Sequence, residues 1–258
     1  MHDGQRCLGQ TSLPSRFECP SMNVQGSVRK ERMRSFYASF IRKNGLAFDV
    51  GANHGDRVET FLSLGARVVA VEPQPNCLAD LYAKFGDDDD VTIVDAAVDS
   101  QSGSATMHLS NNDMVSSLNP DWIARVRAGG RFDDSTWDEI LEVKTVTLDG
   151  LIDEFGVPDF MKIDVEGNEH KALLGLSTPV RALSFEYTPE DIDTAVRCVE
   201  RLQALGDHVY DLSPGETFVM RMGRYVRADD IMSALDSLAR QEGEPSGDVY
   251  ALLSDLER

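Results

Sequence analysis

Cysteine is scarce and has no pattern. Cys7, Cys19, Cys77 and Cys198 are scattered over 258 residues without a C-x-x-C pair. They read as free thiols in a reducing compartment. Long apolar runs are missing as well: nothing approaches the 18 or so residues that a membrane span needs, so no stable membrane insertion is expected. The opening stretch lacks the apolar core of a secretory signal, and a cytoplasmic location is expected. Residues 1–23 are expected to be poorly ordered, with Met22 an alternative start. Positive charge is also in short supply. Lys and Arg number 25 against 44 Asp and Glu, a net charge of −19. Before residue 46 there are 8 basic and 3 acidic residues, and from there on 17 against 41. Phosphate binding needs clustered Lys and Arg, so this balance argues against nucleic acid as the main partner and speaks for solubility.

What is present is an alternating pattern. Residues 24–44 place Val28, Met33, Phe36, Tyr37, Phe40 and Ile41 at helical spacing beside a basic face. That predicts a helix packed on the following sheet, or alternatively one offered to a membrane surface or partner. Residues 1–45 thus read as a tail and amphipathic helix, and 46–258 as the main domain. Within it, "LAFDV", "RVVAVE", "VTIVDAAV", "SATMHL", "DFMKIDV" and "VRALSFEY" read as strands, most of them separated by helical stretches. Such alternation indicates βαβ units and a doubly wound, mostly parallel α/β sheet. "HVYDL" and "TFVMRMG" read as a closing antiparallel hairpin.

Residues 111–145 interrupt the rhythm. The segment is polar, holds both tryptophans, and is expected to be an insertion or lid over the carboxyl ends of the strands. Trp122 and Trp137 with Arg125, Arg127 and Arg131 could form an acceptor wall, or the tryptophans could serve an ordinary core. The four aspartates at 87–90 read as a solvated loop.

Chemistry concentrates at "LAFDVGANHGD". The dinucleotide pattern G-x-G-x-x-G is absent, and Asp49 stands where a pyrophosphate would be repelled. An aspartate there pairs with an ammonium, while the backbone of a glycine turn can receive a carboxylate. Glu72, with Pro73, ends the second strand 21 residues after Gly51, placed to accept ribose hydroxyls. Asp95 and Ala96 end the third and suit the edge and face of an adenine. Amino acid, ribose and adenine in one molecule describe S-adenosyl-L-methionine.

With "FDVGANHGD", "VVAVEPQP", "IVDAAVDSQSG", "SSL", "VKTVTLDGLI" and "DFMKIDVEGNEHKALLGL", the chain resembles the FkbM family of S-adenosylmethionine-dependent methyltransferases over about residues 46–190. "GDVYA" is similar to tails seen in that family. The resemblance implies a seven-stranded, Rossmann-like methyltransferase sheet. It also implies O-methylation of a hydroxyl on a sugar, glycolipid, polyketide or similar product of natural product biosynthesis. Carried over, Asp49, Gly51, Asn53 and Gly55 would hold the methionine end, Glu72 the ribose, and Asp95 and Ala96 the adenine, with Pro73 also among the cofactor-binding residues. Asp164 and Glu166 would lie beyond the fourth strand, beside the reactive methyl.

Methyl transfer to an alcohol needs a base within hydrogen-bond reach. Asp164 is the first candidate, with Glu166, His170 and Glu186 in reserve; capping of a helix N-terminus is the competing role for the acids. His54 reads as non-catalytic. The same four candidates carry donors for Mg²⁺, a reading not favoured over the metal-free one. N-methylation of a small molecule, a NAD-binding oxidoreductase and a non-catalytic partner-binding module are the alternatives. The acceptor is expected to be a small or glycosylated molecule, and a homodimer is left open.

Overall fold

In the computed structural model, residues 20–241 and 243–254 are described; the expectations for residues 1–19, and the thiols of Cys7 and Cys19, fall outside them. Helix α1 (Pro20–Tyr37) precedes β1 (Leu46–Val50), α2 (Asp56–Ser63), β2 (Arg67–Glu72), α3 (Pro75–Phe85), β3 (Val91–Asp95), β4 (Ala97–Val98) and β5 (Gly103–Leu109). A 3-10 turn (Asp113–Val115) and α4 (Pro120–Ala128) lead to β6 (Glu139–Val146), α5 (Leu148–Phe155), β7 (Phe160–Ile163), α6 (Glu169–Leu174) and β8 (Ala182–Tyr187). A second 3-10 turn (Pro189–Asp191), α7 (Ile192–Leu205), β9 (His208–Pro214), α8 (Ala228–Ala239) and β10 (Gly247–Leu253) complete the chain.

The main sheet has seven strands in the order β3-β2-β1-β7-β8-β10-β9. All neighbours are parallel except β10, which runs antiparallel to both β8 and β9. The doubly wound sheet and its closing antiparallel pair are therefore as expected, but the second arm of the pair differs. It is Gly247–Leu253, while "TFVMRMG" lies in a loop and α8 intervenes. β1 is buried along its whole length because β2 and β7 flank it, which is why it reads as a continuous apolar run with a single acid.

α1 begins at Pro20, earlier than the periodicity suggested. Met33 and Tyr37, then Phe40 and Ile41, pack with Phe61, Phe160, Ala182 and Tyr250 on one face of the sheet. The Phe40 and Phe160 rings stack with centroids 5.1 Å apart. Burial of each such side chain is worth about 1.5–3 kcal/mol, so α1 docks through its apolar stripe. Its basic face meets acids of this chain: Arg29 pairs with Asp56 and Glu216, and Lys30 with Glu59.

The excursion after β5 is shorter than 111–145. Residues 139–146 form β6, which pairs with β5 and β4 in a second, three-stranded sheet. Among the described residues no helix is long and apolar enough to cross a membrane.

Candidate active site

The connections from β1 turn one way to β2, and those from β7 the other way to β8, so β1 and β7 border the switch point of the sheet. Ligands of doubly wound folds bind at such a point, outside the carboxyl ends of the strands. A cavity of about 380 Å³ opens there.

Its floor is the glycine turn. Gly51 has φ +83°, and a Cβ on it would stand 1.8 Å from the Asp164 carbonyl oxygen. Only glycine lets β1 leave the sheet in contact with the chain leaving β7. Asp49 is 2% exposed, and among the described residues its Oδ2 has no hydrogen-bond partner. Burial drives its carboxyl up to about 7, against the pull of Lys162 and Arg57. Glu72 is equally buried; it accepts the Asn53 N–H at 2.9 Å and the Gln74 N–H at 2.8 Å. Burial also raises its carboxyl above the usual range.

"KIDVEGNE" forms the opposite wall. Glu166 has φ +52° and Gly167 +87°, so the chain doubles back sharply between β7 and α6. This turn is clamped on all sides. Glu169 Oε1 accepts the N–H groups of Val165 at 3.0 Å and Gly167 at 3.2 Å. From "SSLN", Ser117 Oγ donates to the Glu166 carbonyl at 2.5 Å and Asn119 Nδ2 to the Gly167 carbonyl at 2.6 Å. Trp122 lies against Gly167 so closely that an added Cβ would meet its ring carbon at 2.2 Å.

Three carboxylates converge beside this turn. Asp164, Glu166 and Glu186 each place an oxygen within 4.8 Å of the others. Asp164 Oδ2 accepts from Lys162 Nζ at 2.7 Å, while its Oδ1 is buried without a partner. Burial works against its charge, but Lys162 and Arg57 outweigh it and hold its carboxyl below the usual range. Glu166 and Glu186 go the other way, raised well above it by burial and by neighbouring carboxylates. One carboxylate is thus biased toward its ionised form and its two neighbours toward their protonated forms.

Of the residues singled out in the sequence, Asp49, Gly51, Asn53, Glu72, Pro73, Ala96, Asp164 and Glu166 line the cavity. Glu186 joins through the carboxylate group. Gly55 does not line it; it caps α2 and packs against Leu81 and Phe85 of α3. Asp95 is exposed and His170 stands apart among Arg197 and Arg201, both outside the lining. The tryptophan and arginine wall is absent from the cavity. Trp122 is 1% exposed in a small core with Val115, Ile123 and Val126. Arg125 pairs with Asp191 and Arg131 with Glu190, while Arg127 lies over Trp137. The excursion instead presents Asp113, Met114, Ser116 and Leu118 to the cavity.

The structure adds residues that the sequence reading passed over. Lys162, 2% exposed, bridges Asp164 at 2.7 Å and Asp248 at 3.2 Å. Its signal was a lysine inside a short apolar strand, as that of Asp248 was an acid in "GDVYALL". Arg57 lines the cavity and pairs with Glu216 at 2.8 Å; nothing in its local sequence marks it.

Two partnerless buried carboxylate oxygens, Asp49 Oδ2 and Asp164 Oδ1, beside a close-approach glycine turn fit a ligand with a cationic head. Comparisons with known proteins bear on which. The family model described as the methyltransferase FkbM domain matches residues 49–212. No curated protein sequence matches. Among solved structures, the chain is similar to precorrin-6y C5,15-methyltransferase from Geobacter metallireducens at 14% identity, with 88% of this chain and 87% of that one covered and a TM-score of 0.44. It is also similar to SMU.1697c, a methyltransferase of Streptococcus mutans in complex with S-adenosylhomocysteine (13% identity, 86% and 96% covered, TM-score 0.41). A third is the fibrillarin of Aeropyrum pernix with bound S-adenosyl-L-methionine (10% identity, 83% and 68% covered, TM-score 0.43).

Proposed function

The chain belongs to the FkbM methyltransferase family and is an S-adenosylmethionine-dependent methyltransferase; from that premise we propose that it methylates a hydroxyl of a sugar, glycolipid, polyketide or similar small acceptor. The observation that carries this reading is the pairing of a partnerless Asp49 oxygen with the Asp164, Glu166 and Glu186 group across one cavity. When bound, the cofactor supplies a sulfonium methyl to a nucleophile held in line with it.

On this proposal Asp49 takes the ammonium of the cofactor, the Gly51 turn its carboxylate, and Glu72 the ribose hydroxyls. Pro73 and Ala96 border the remaining surface. Asp164 accepts a hydrogen bond from the acceptor hydroxyl through Oδ1, since Lys162 already holds Oδ2. Lys162 makes Asp164 a weak but permanently ionised acceptor. Glu166 and Glu186, whose carboxyls lie above the usual range, are better matched to take the proton as it leaves the oxygen. The rate then rises with pH as that pair ionises. Positioning and desolvation supply the rest: the clamped turn holds the acids and Met114 and Leu118 cover the rim.

The three-carboxylate group also has oxygen donors of the kind Mg²⁺ takes. The Lys162 ammonium already supplies a cation there, which favours the metal-free reading. Turnover of chelator-treated protein is then expected not to rise on addition of Mg²⁺.

Incubation of the enzyme with a donor carrying a ¹³C methyl and a metabolite extract, followed by carbon NMR of the products, tests the proposal. A new O-methyl resonance that disappears in Asp164→Asn supports it. An N-methyl product, or full turnover in Asp164→Asn, refutes it.

A further inference from the structure

Beside the cavity, which His54 and Asp113 line and the buried Cys77 backs, three side chains of different chemistry converge from three segments. They are His54 from the glycine turn, Cys77 from the first turn of α3 and Asp113 from the 3-10 turn. One ligand atom of each lies within 4.8 Å of the others, and His54 Nε2 is 3.7 Å from Asp113 Oδ2. Ligands around a tetrahedral zinc ion stand about 3.3–3.8 Å apart, so the group needs to close only slightly. The remaining imidazole nitrogen is already engaged, with Nδ1 2.8 Å from Asp80 Oδ2. With Nδ1 facing the Asp80 carboxylate, Nε2 is the ring nitrogen left on the Asp113 side as a metal donor. Metal-bound histidines are oriented by the same carboxylate pairing. Among the described residues, no hydrogen bond takes the Cys77 thiol or the Asp113 carboxylate.

We propose that His54 Nε2, Cys77 Sγ and Asp113 Oδ2 bind one divalent cation of the zinc class, with Asp80 orienting the imidazole and the fourth position open to the cavity. Sulfur, nitrogen and oxygen donors together select zinc-like ions, whereas Mg²⁺ takes oxygen alone. The cation would fasten a contact that exists without it. The Asp113 carbonyl accepts from Asn53 Nδ2 at 3.3 Å and Gln74 Nε2 at 3.0 Å, the same two residues whose backbones hold Glu72. Binding therefore steadies the turn that covers the cavity. The site goes beyond methyl transfer and does not depend on it.

The test uses the full chain carrying Cys7→Ser and Cys19→Ser, stripped with a chelator. Zn²⁺ is followed by calorimetry, and Co²⁺ by its thiolate charge-transfer absorption. One ion per chain is expected, with that absorption present and affinity lowered about tenfold or more in Cys77→Ser and in Asp113→Asn. Asp113 is one-third exposed, so Asp113→Asn keeps the test valid if Cys77→Ser does not fold. Absence of stoichiometric binding, unchanged affinity in Asp113→Asn, or a charge-transfer band that persists in folded Cys77→Ser overturns the proposal. None of these results touches the methyltransferase reading, which cofactor titration examines separately.

Discussion

Asp49 lies between Phe48 and Val50 in a strand buried throughout, and its Oδ2 has no partner. In the unfolded chain its carboxyl would ionise near 3.8, whereas burial raises it to about 7 in the fold. Between those values the folded protein binds more protons than the unfolded one, so this group lowers stability as pH rises through the window. The full loss is about 4 kcal/mol above the upper value. Asp49→Asn is therefore expected to flatten the pH dependence and to gain about 1–3 kcal/mol at pH 8, the amide keeping some desolvation penalty of its own. Urea unfolding at pH 5 and pH 8 checks both. Lys162 behaves oppositely: burial opposes its charge, but Asp164 and Asp248 more than compensate. Lys162→Met leaves both acids uncompensated and should destabilise the fold by about 3–5 kcal/mol. Asp49 was legible in the sequence because an acid closes an apolar run directly before a glycine turn. Lys162 and Asp248 send the same kind of signal, a charge in an apolar strand. Their partnership was hidden because the two residues are 86 apart in sequence.

At the scale of elements, the turn between β7 and α6 is held by four side chains, of which the sequence drew attention only to Trp122 and to the "SSL" stretch. Glu169 accepts two backbone N–H groups of that turn while 2% exposed. Glu169→Ala strands both donors and should lose about 2–3 kcal/mol. Because the turn carries Glu166, kcat should fall about tenfold or more, with the affinity for S-adenosylhomocysteine little changed. Glu169→Gln, which keeps an acceptor, should recover most of both losses; equal damage in the two variants would remove the clamp. Strands β1, β2 and β7 were readable because both their faces are buried and every position but the exposed Arg67 reports it. β6 was not: its burial alternates irregularly along an outlying sheet, so its first residues read as part of the polar excursion. The arm β10 was mistaken for "TFVMRMG" because both are short apolar runs after a turn. Which of them pairs with β9 is decided by α8 covering the sheet between them, a tertiary matter.

Across the molecule, part of the charge asymmetry of the sequence is met by internal pairing. Arg29 and Lys30 of the basic α1 region meet acids of α2 and the 215–224 loop, while Arg32 and Arg34 remain exposed. The cavity itself is acidic, with Arg29, Arg57 and Lys162 set against Asp49, Asp56, Glu72, Asp113, Asp164, Glu166 and Glu216. Much of the proposed cofactor end could be read from sequence because Asp49 and Glu72 sit at or beside the ends of buried strands, although Asp95, read the same way, lies outside the lining. The proposed acceptor end could not, since the "SSLN" stretch, the Asp113 turn and the carboxylate group with Glu186 meet only when the sheet is assembled. A ligand held at 100 times its Kd stabilises a protein by about 2.7 kcal/mol, so S-adenosylhomocysteine should raise the unfolding temperature. The central claim is that Asp49 receives the cofactor's ammonium. It is tested most directly by calorimetric titration of S-adenosylhomocysteine into wild-type protein and Asp49→Asn at pH 6 and pH 8. The wild type should bind more tightly at pH 8 and release a proton on binding at pH 6, and Asp49→Asn should bind about tenfold or more weakly with no such pH dependence. Equal affinity of the two proteins at both pH values would contradict it.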